Sequence, residues 1–201
     1  MAIAVQVTVD ERSLKEAAYI LRAVPRAMPR VLRRAINRTV DMAATDLKRR
    51  TGEQIAIKKG EIAKGISKKH ASFADLSGSV GAKPYRPSLT EFPGTRQSRR
   101  GVIYRISRAE GRKMIEHGFI ATMASGHRGV FLRARFMHGK FIPMKSDSKR
   151  EAIYETKGPS IWQIITGTPG LLKAVTDTAG SKLGKNIDDQ IGVELRRWKN
   201  R

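Results

Sequence analysis

The 201-residue chain predicts an α+β fold, with N-terminal helices packed on a mostly antiparallel sheet and a long C-terminal helix. Three observations predict it. Two stretches, 28–50 and 170–195, repeat apolar residues with the 3.6 period of an amphipathic helix. Between them the period falls to two, the mark of strands with one buried face. Helices grouped before and after the strands, and not alternating with them, point to antiparallel pairing. The chain is expected to divide into an α+β domain over 1–168, carrying a basic loop at 84–100, and a helical arm over 169–201.

Each element has its own warrant. "MAIAVQVTV" alternates as a strand does and lacks the charged start and apolar block of a signal peptide. Asp10 stands where an N-cap belongs, and Leu14, Ala17, Ala18 and Leu21 follow at helical spacing. Pro25 and Pro29 break that helix, and Pro29 suits the first turn of the next. Met28, Val31, Leu32, Ala35, Ile36, Val40, Ala43 and Leu47 then form one apolar stripe, which Gly52 is expected to end. "KKGEIAKGISKK" (58–69) reads as a short basic helix. "ASFADLSGSVGA" (71–82), "GVIYRIS" (101–107), "GVFLRARF" (129–136) and "FIPMK" (141–145) read as strands. The bridge at 84–100, rich in Pro, Ser, Gly and Arg, is too long for a tight hairpin and has the length of a functional loop. Leu172, Val175, Ala179, Leu183, Ile187, Ile191 and Leu195 form the C-terminal stripe, which ends in "RRWKNR".

Charge narrows the partners. Lys and Arg number 40 against 18 Asp and Glu, a net charge of +22. An excess of this size repels itself in the folded state and attracts polyanions: nucleic acid, an acidic protein surface or an anionic membrane. No apolar run approaches the roughly 20 residues of a membrane-spanning helix, so a soluble chain is expected. The chain has no cysteine, which removes disulfides, thiolate metal sites and cysteine nucleophiles.

The catalytic motifs fail on spacing. Ser125 and His127 lie two residues apart, without the G-x-S-x-G elbow, the distant base and the orienting carboxylate of a serine hydrolase. "SGHRG" reads instead as a tight turn leading into the strand at Val130. His70, His117, His127 and His138 lack the spacings of a zinc site. "GSKLGK" lacks the spacing and the Ser/Thr of a phosphate-binding P-loop. No cofactor, metal or catalytic residue is expected. Arg96, Arg99, Arg100, Arg105, Arg108, Arg112 and Lys113 form a basic cluster interrupted only by Glu110. Such a cluster contacts duplex phosphates without reading sequence, or pairs with an acidic neighbour in an assembly.

Beside these readings, "FIATMASGHRGVFLR" (119–133) resembles the signature segment of the phage minor tail protein Z family, tail completion proteins of long-tailed bacteriophages. The likeness extends to "LRRAINRTVDMAATDLKRRTG" (32–52), to the Lys/Ile-rich segment that follows it and to "GPSIWQII" (158–165), and so covers roughly residues 30–165. It implies a non-enzymatic virion protein, built in the host cytoplasm and placed at the head-proximal end of the tail, near the path of the DNA. Its implied partners are other neck and tail proteins (terminator, tube or connector) and copies of itself in a ring, a hexamer being expected. No membrane is implied. On this resemblance Ser125, Gly126, His127, Arg128, Gly129 and Phe131 form a shaped turn for packing or subunit contact. Arg96, Arg99, Arg100, Arg108, Arg112 and Lys113 would face DNA or an acidic ring. Two other classes stand beside it: a sequence-nonspecific DNA-binding protein, and a nuclease using Asp147 and Glu155 of an "ETK" tail.

Overall fold

The structure, a computed structural model, describes residues 4–20, 27–144 and 147–200. Expectations for residues 1–3, the end of the first helix with Pro25, Lys145 and Arg201 lie outside the described residues, as do the side chains of Leu14 and Asp147. The class is α+β. In chain order the elements are β1 (Ala4–Val7), α1 (Glu11–Ile20), α2 (Met28–Gln54), α3 (Lys59–Lys64), β2 (Ile66–Lys69) and β3 (Gly78–Ala82). A 3-10 turn (Leu89–Glu91), β4 (Arg96–Ser98), β5 (Gly101–Tyr104), β6 (Lys113–Glu116), β7 (Phe119–Thr122) and β8 (Arg128–Arg133) follow. The chain continues through α4 (Ala134–His138), β9 (Pro143–Met144), β10 (Asp147–Glu151), β11 (Ile153–Glu155), α5 (Ile161–Gly167) and α6 (Leu171–Lys199). Every described strand pair is antiparallel, and the strands divide among several small sheets.

The chain forms two compact units, and the expected boundary at 168/169 is not where it divides. The first unit joins Met1–Arg50, Ile66–Lys83 and Trp162–Arg201; the second joins Thr51–Gly65 and Pro84–Ile161. The C-terminal helix is therefore an integral wall of the first unit and not a separate arm.

In the first unit α2 buries Val31, Leu32, Ala35, Ile36, Val40, Ala43 and Leu47, the stripe its spacing predicts. α6 buries Leu171, Val175, Ala179, Leu183, Ile187 and Ile191, while Leu172 and Leu195 are only half-buried. Polar groups fix the register of these helices. Asn186 donates to Thr39 Oγ1 at 2.9 Å. The buried Glu194 carboxylate accepts from Arg34 at 2.9 Å and Arg197 at 3.0 Å, and pairs with Arg30 at 3.5 Å. The three-stranded sheet β1-β3-β2 completes the unit. Gly78 opens β3 where a Cβ would lie 2.6 Å from Val40 Cγ2, so only glycine lets the strand approach α2 this closely. Asp10 caps α1: the hydroxyl and backbone N–H of Ser13 hold its carboxyl below the usual carboxylate range.

Several boundaries differ from expectation. α2 runs through Gly52 to Gln54, and Thr51 in that last turn is buried. The 58–69 segment splits into a short helix and a strand. Residues 71–77 turn, and only 78–82 pair. The strand expected over 129–136 ends at Arg133, where α4 begins; buried Glu151 accepts the Arg135 backbone N–H at 2.6 Å and so satisfies an end group of that helix.

The second unit holds two three-stranded sheets, β4-β5-β6 and β11-β8-β7, with the β9–β10 pair. Its core is Ile55, Ile57, Ile62, Leu89, Phe92, Val102, Val130, Phe131 and Ile161. The 84–100 bridge is not an open loop. Leu89 and Phe92 anchor it, Thr95 Oγ1 donates to Leu89 O at 2.7 Å, and its end is β4.

Candidate functional site

The segment 119–133 folds as a β-hairpin. β7 pairs with β8 from Phe119↔Phe131 to Thr122↔Arg128. The five residues Met123–His127 close it through Met123 N–H to His127 O at 2.8 Å and Gly126 N–H to Met123 O at 2.9 Å. Gly126 has φ 80°, a left-handed conformation that a side chain disfavours. Ser125 is exposed at the tip and makes no hydrogen bond among the described residues. Gly129, Val130 and Phe131 are buried in the adjoining strand. The shaped turn expected from sequence is thus a hairpin whose strand packs inward and whose tip faces solvent.

The expectation that His127 has no partnering carboxylate is corrected. β11 pairs with β8 on the side away from β7 and brings Glu155 to 2.9 Å from His127 Nε2. The His127 ring also meets Phe131 edge-on, with centroids 6.5 Å apart. Lys157 Nζ lies 3.5 Å from the second Glu155 oxygen. Glu155 is therefore engaged by both the His127 imidazole and the Lys157 ammonium, and Ser125 is not hydrogen-bonded to the pair among the described residues. Asp147 lies on β10 and β11 pairs with β8, so the two acids of the "ETK" reading are not on neighbouring strands. Among the described residues no cluster of three or more His, Asp or Glu is placed to hold a metal ion.

Beside the turn is a polar basin of about 620 Å³, walled by α3 and the residue before it, by the 84–91 segment, by the turn and by the end of β11. A second carboxylate is held there. Glu61 accepts from Lys64 Nζ at 2.6 Å and from the Tyr85 hydroxyl at 2.6 Å. Those two hydrogen bonds hold its carboxyl below the usual range, and burial together with Glu61 pushes the Tyr85 phenol up. Lys58, Arg86 and Arg128 also line the basin, and none has an ion-pair partner among the described residues. Glu91 lines it without such a partner as well.

The expected basic contacts do not share one surface. Arg96 lines a shallow hollow against β7 with Arg128; Arg99 and Arg100 form the β4–β5 turn beside His117 and Glu116. These three and Arg112 are exposed and unpaired among the described residues. Arg108 donates to Gly52 O at 2.9 Å and Ile55 O at 3.2 Å, and Lys113 pairs with Glu110 at 2.6 Å. Arg108 is thus tied to the chain's own carbonyls, and Lys113 already has a carboxylate.

Glu61, Tyr85 and Arg86 were not legible as site residues, since the basin draws on four separated segments and no spacing marks it. The only signal was "ETK" at 155–157. Comparison with protein-family models, with curated proteins and with solved structures yields no match.

Proposed function

We propose that the chain is a non-enzymatic structural protein of a phage virion, completing the head-proximal end of a tail, with the 123–127 turn as a contact to a neighbouring subunit. One observation carries the reading: the segment that resembles the family's signature is a hairpin built inward at Gly129–Phe131 and displayed outward at Ser125–Arg128. That is the arrangement of an assembly element, with a rigid base and an accessible tip. The chemistry at the tip supports it. Glu155 is engaged by His127 and Lys157, and among the described residues no hydroxyl nucleophile is hydrogen-bonded to the imidazole. Exposed Arg96, Arg99, Arg100 and Arg112 are suited to the DNA or acidic ring that such a position borders.

The test is deletion of the gene from a phage that encodes it, followed by electron microscopy and protein analysis of the particles. Unjoined heads and tails, restored by the parent protein, are expected, with the protein present in several copies per finished virion. Normal joined particles without the protein would overturn the proposal.

A further inference from the structure

We propose that the basin beside the hairpin turn is a docking site for an acidic peptide segment of a partner protein, held through carboxylates by Arg86, Arg128 and Lys58. The inference rests on the reading of the turn as a contact element and adds the chemistry of what it contacts.

The balance of paired and unpaired groups carries it. The two inner carboxylates are already satisfied: Glu61 by Lys64 and Tyr85, Glu155 by His127 and Lys157. Three exposed cations from three different segments remain around the same cavity; Arg86 and Arg128 have no ion-pair partner among the described residues, and Lys58 makes no salt bridge there but acts on Glu61 through its charge alone. Two of them are arginines, whose planar guanidinium takes a carboxylate through two parallel hydrogen bonds. Uncompensated cations facing one concavity raise the local concentration of anions there.

Two observations favour a peptide over a nucleic-acid backbone. Three carboxylates, Glu61, Glu91 and Glu155, line the basin among its cations. Glu91 is also an acceptor without an ion-pair partner among the described residues. A peptide brings backbone N–H donors together with its carboxylates, whereas a phosphodiester backbone brings acceptors only. The volume points the same way. About 620 Å³ admits a few side chains of an extended segment and not the width of a duplex.

The experiment uses the full chain and two labelled probes at physiological salt: a short peptide alternating Glu and Gly, and a short duplex DNA. Binding is compared for the parent, for Arg86→Ala/Arg128→Ala, and for Arg99→Ala/Arg100→Ala as a distal change of equal charge. The basin variant should weaken the peptide about tenfold or more and the distal variant less than about twofold. Duplex binding should follow the distal variant more than the basin variant. Unchanged peptide binding by the basin variant overturns the proposal, as does equal weakening by both variants, which would mark bulk charge attraction. Loss of duplex and not peptide in the basin variant overturns it in favour of a phosphate site. A variant that melts below the parent is replaced by Arg86→Gln/Arg128→Gln and read by the same criteria. Particle incorporation is scored separately, so the virion role and the basin can fail independently.

Discussion

His127 Nε2 lies 2.9 Å from Glu155 Oε1, so the end of the 123–127 turn is fastened to the outer strand of its sheet by a side-chain bond. The imidazole is half-exposed while the carboxylate is largely buried. The histidine is therefore the more accessible of the two, while the acid shows only its edge to the basin.

The first expected outcome is negative. Purified protein should cut neither plasmid DNA nor ester substrates, with or without added magnesium or manganese, because Glu155 is already engaged by His127 and Lys157. Metal-dependent DNA cutting that disappears in Glu155→Ala would refute this.

Gly78→Ala should destabilise the first unit. The new Cβ would lie 2.6 Å from Val40 Cγ2 and 3.0 Å from Ile36 Cγ2, both on the packed face of α2. Overpacking of this kind costs roughly 1–3 kcal/mol. Denaturant titration should show a lower midpoint, and the double variant Gly78→Ala/Val40→Ala should recover part of the loss. A midpoint at or above the parent's would show that the strand can shift.

Glu194→Ala leaves Arg30, Arg34 and Arg197 without their common carboxylate on the α6 side of the first unit. Because those arginines are partly exposed, the cost should be about 2 kcal/mol and not the full penalty of a buried pair. Thermal melts of Glu194→Ala and Glu194→Gln test it; the amide should keep part of the stability through its own acceptor oxygen.

Acid should loosen the basin. Lys64 and Tyr85 depress the Glu61 carboxyl in the folded state, so its stabilisation is fully present above the unfolded value of about 4.3 and disappears as pH falls through the lower folded value. Melting temperature should therefore drop less steeply below about pH 4.5 in Glu61→Gln than in the parent. Parallel curves would show that the group is not linked to folding.

Duplex binding, finally, should be sequence-blind and salt-sensitive. If about six phosphates are neutralised, affinity should fall roughly a thousandfold between about 50 and about 200 mM salt. Arg96→Ala/Arg99→Ala/Arg100→Ala should weaken it uniformly across sequences and leave the fold intact. A triple variant that binds as the parent does would remove these residues from any DNA-facing surface.

The long helices were the legible part of the fold. α2 and α6 each carry a stripe that only one face can bury, and burial followed it. The missed strands, β2, β4, β6, β7, β10 and β11, are short and carry little alternation: "DSKRE" has no apolar residue, and every residue of "FIAT" lies at least partly exposed. Their pairing is decided by neighbours and not by their own pattern. The turn at Ser125–Gly126 could be anticipated from glycine chemistry, whereas Glu155 reaches His127 only through the β8–β11 pairing, 28 residues further along the chain. The basin was illegible for the same reason.

The Thr39–Asn186 bond spans 147 residues of chain. During synthesis α2 emerges with its apolar stripe bare; β3 can reach Val40 and Ile36 before α6 supplies Asn186, and every segment of the second unit precedes α6 in the chain. The early helix is therefore the stretch most in need of a chaperone or of a fellow chain on the same messenger, and the second unit has the opportunity to fold first.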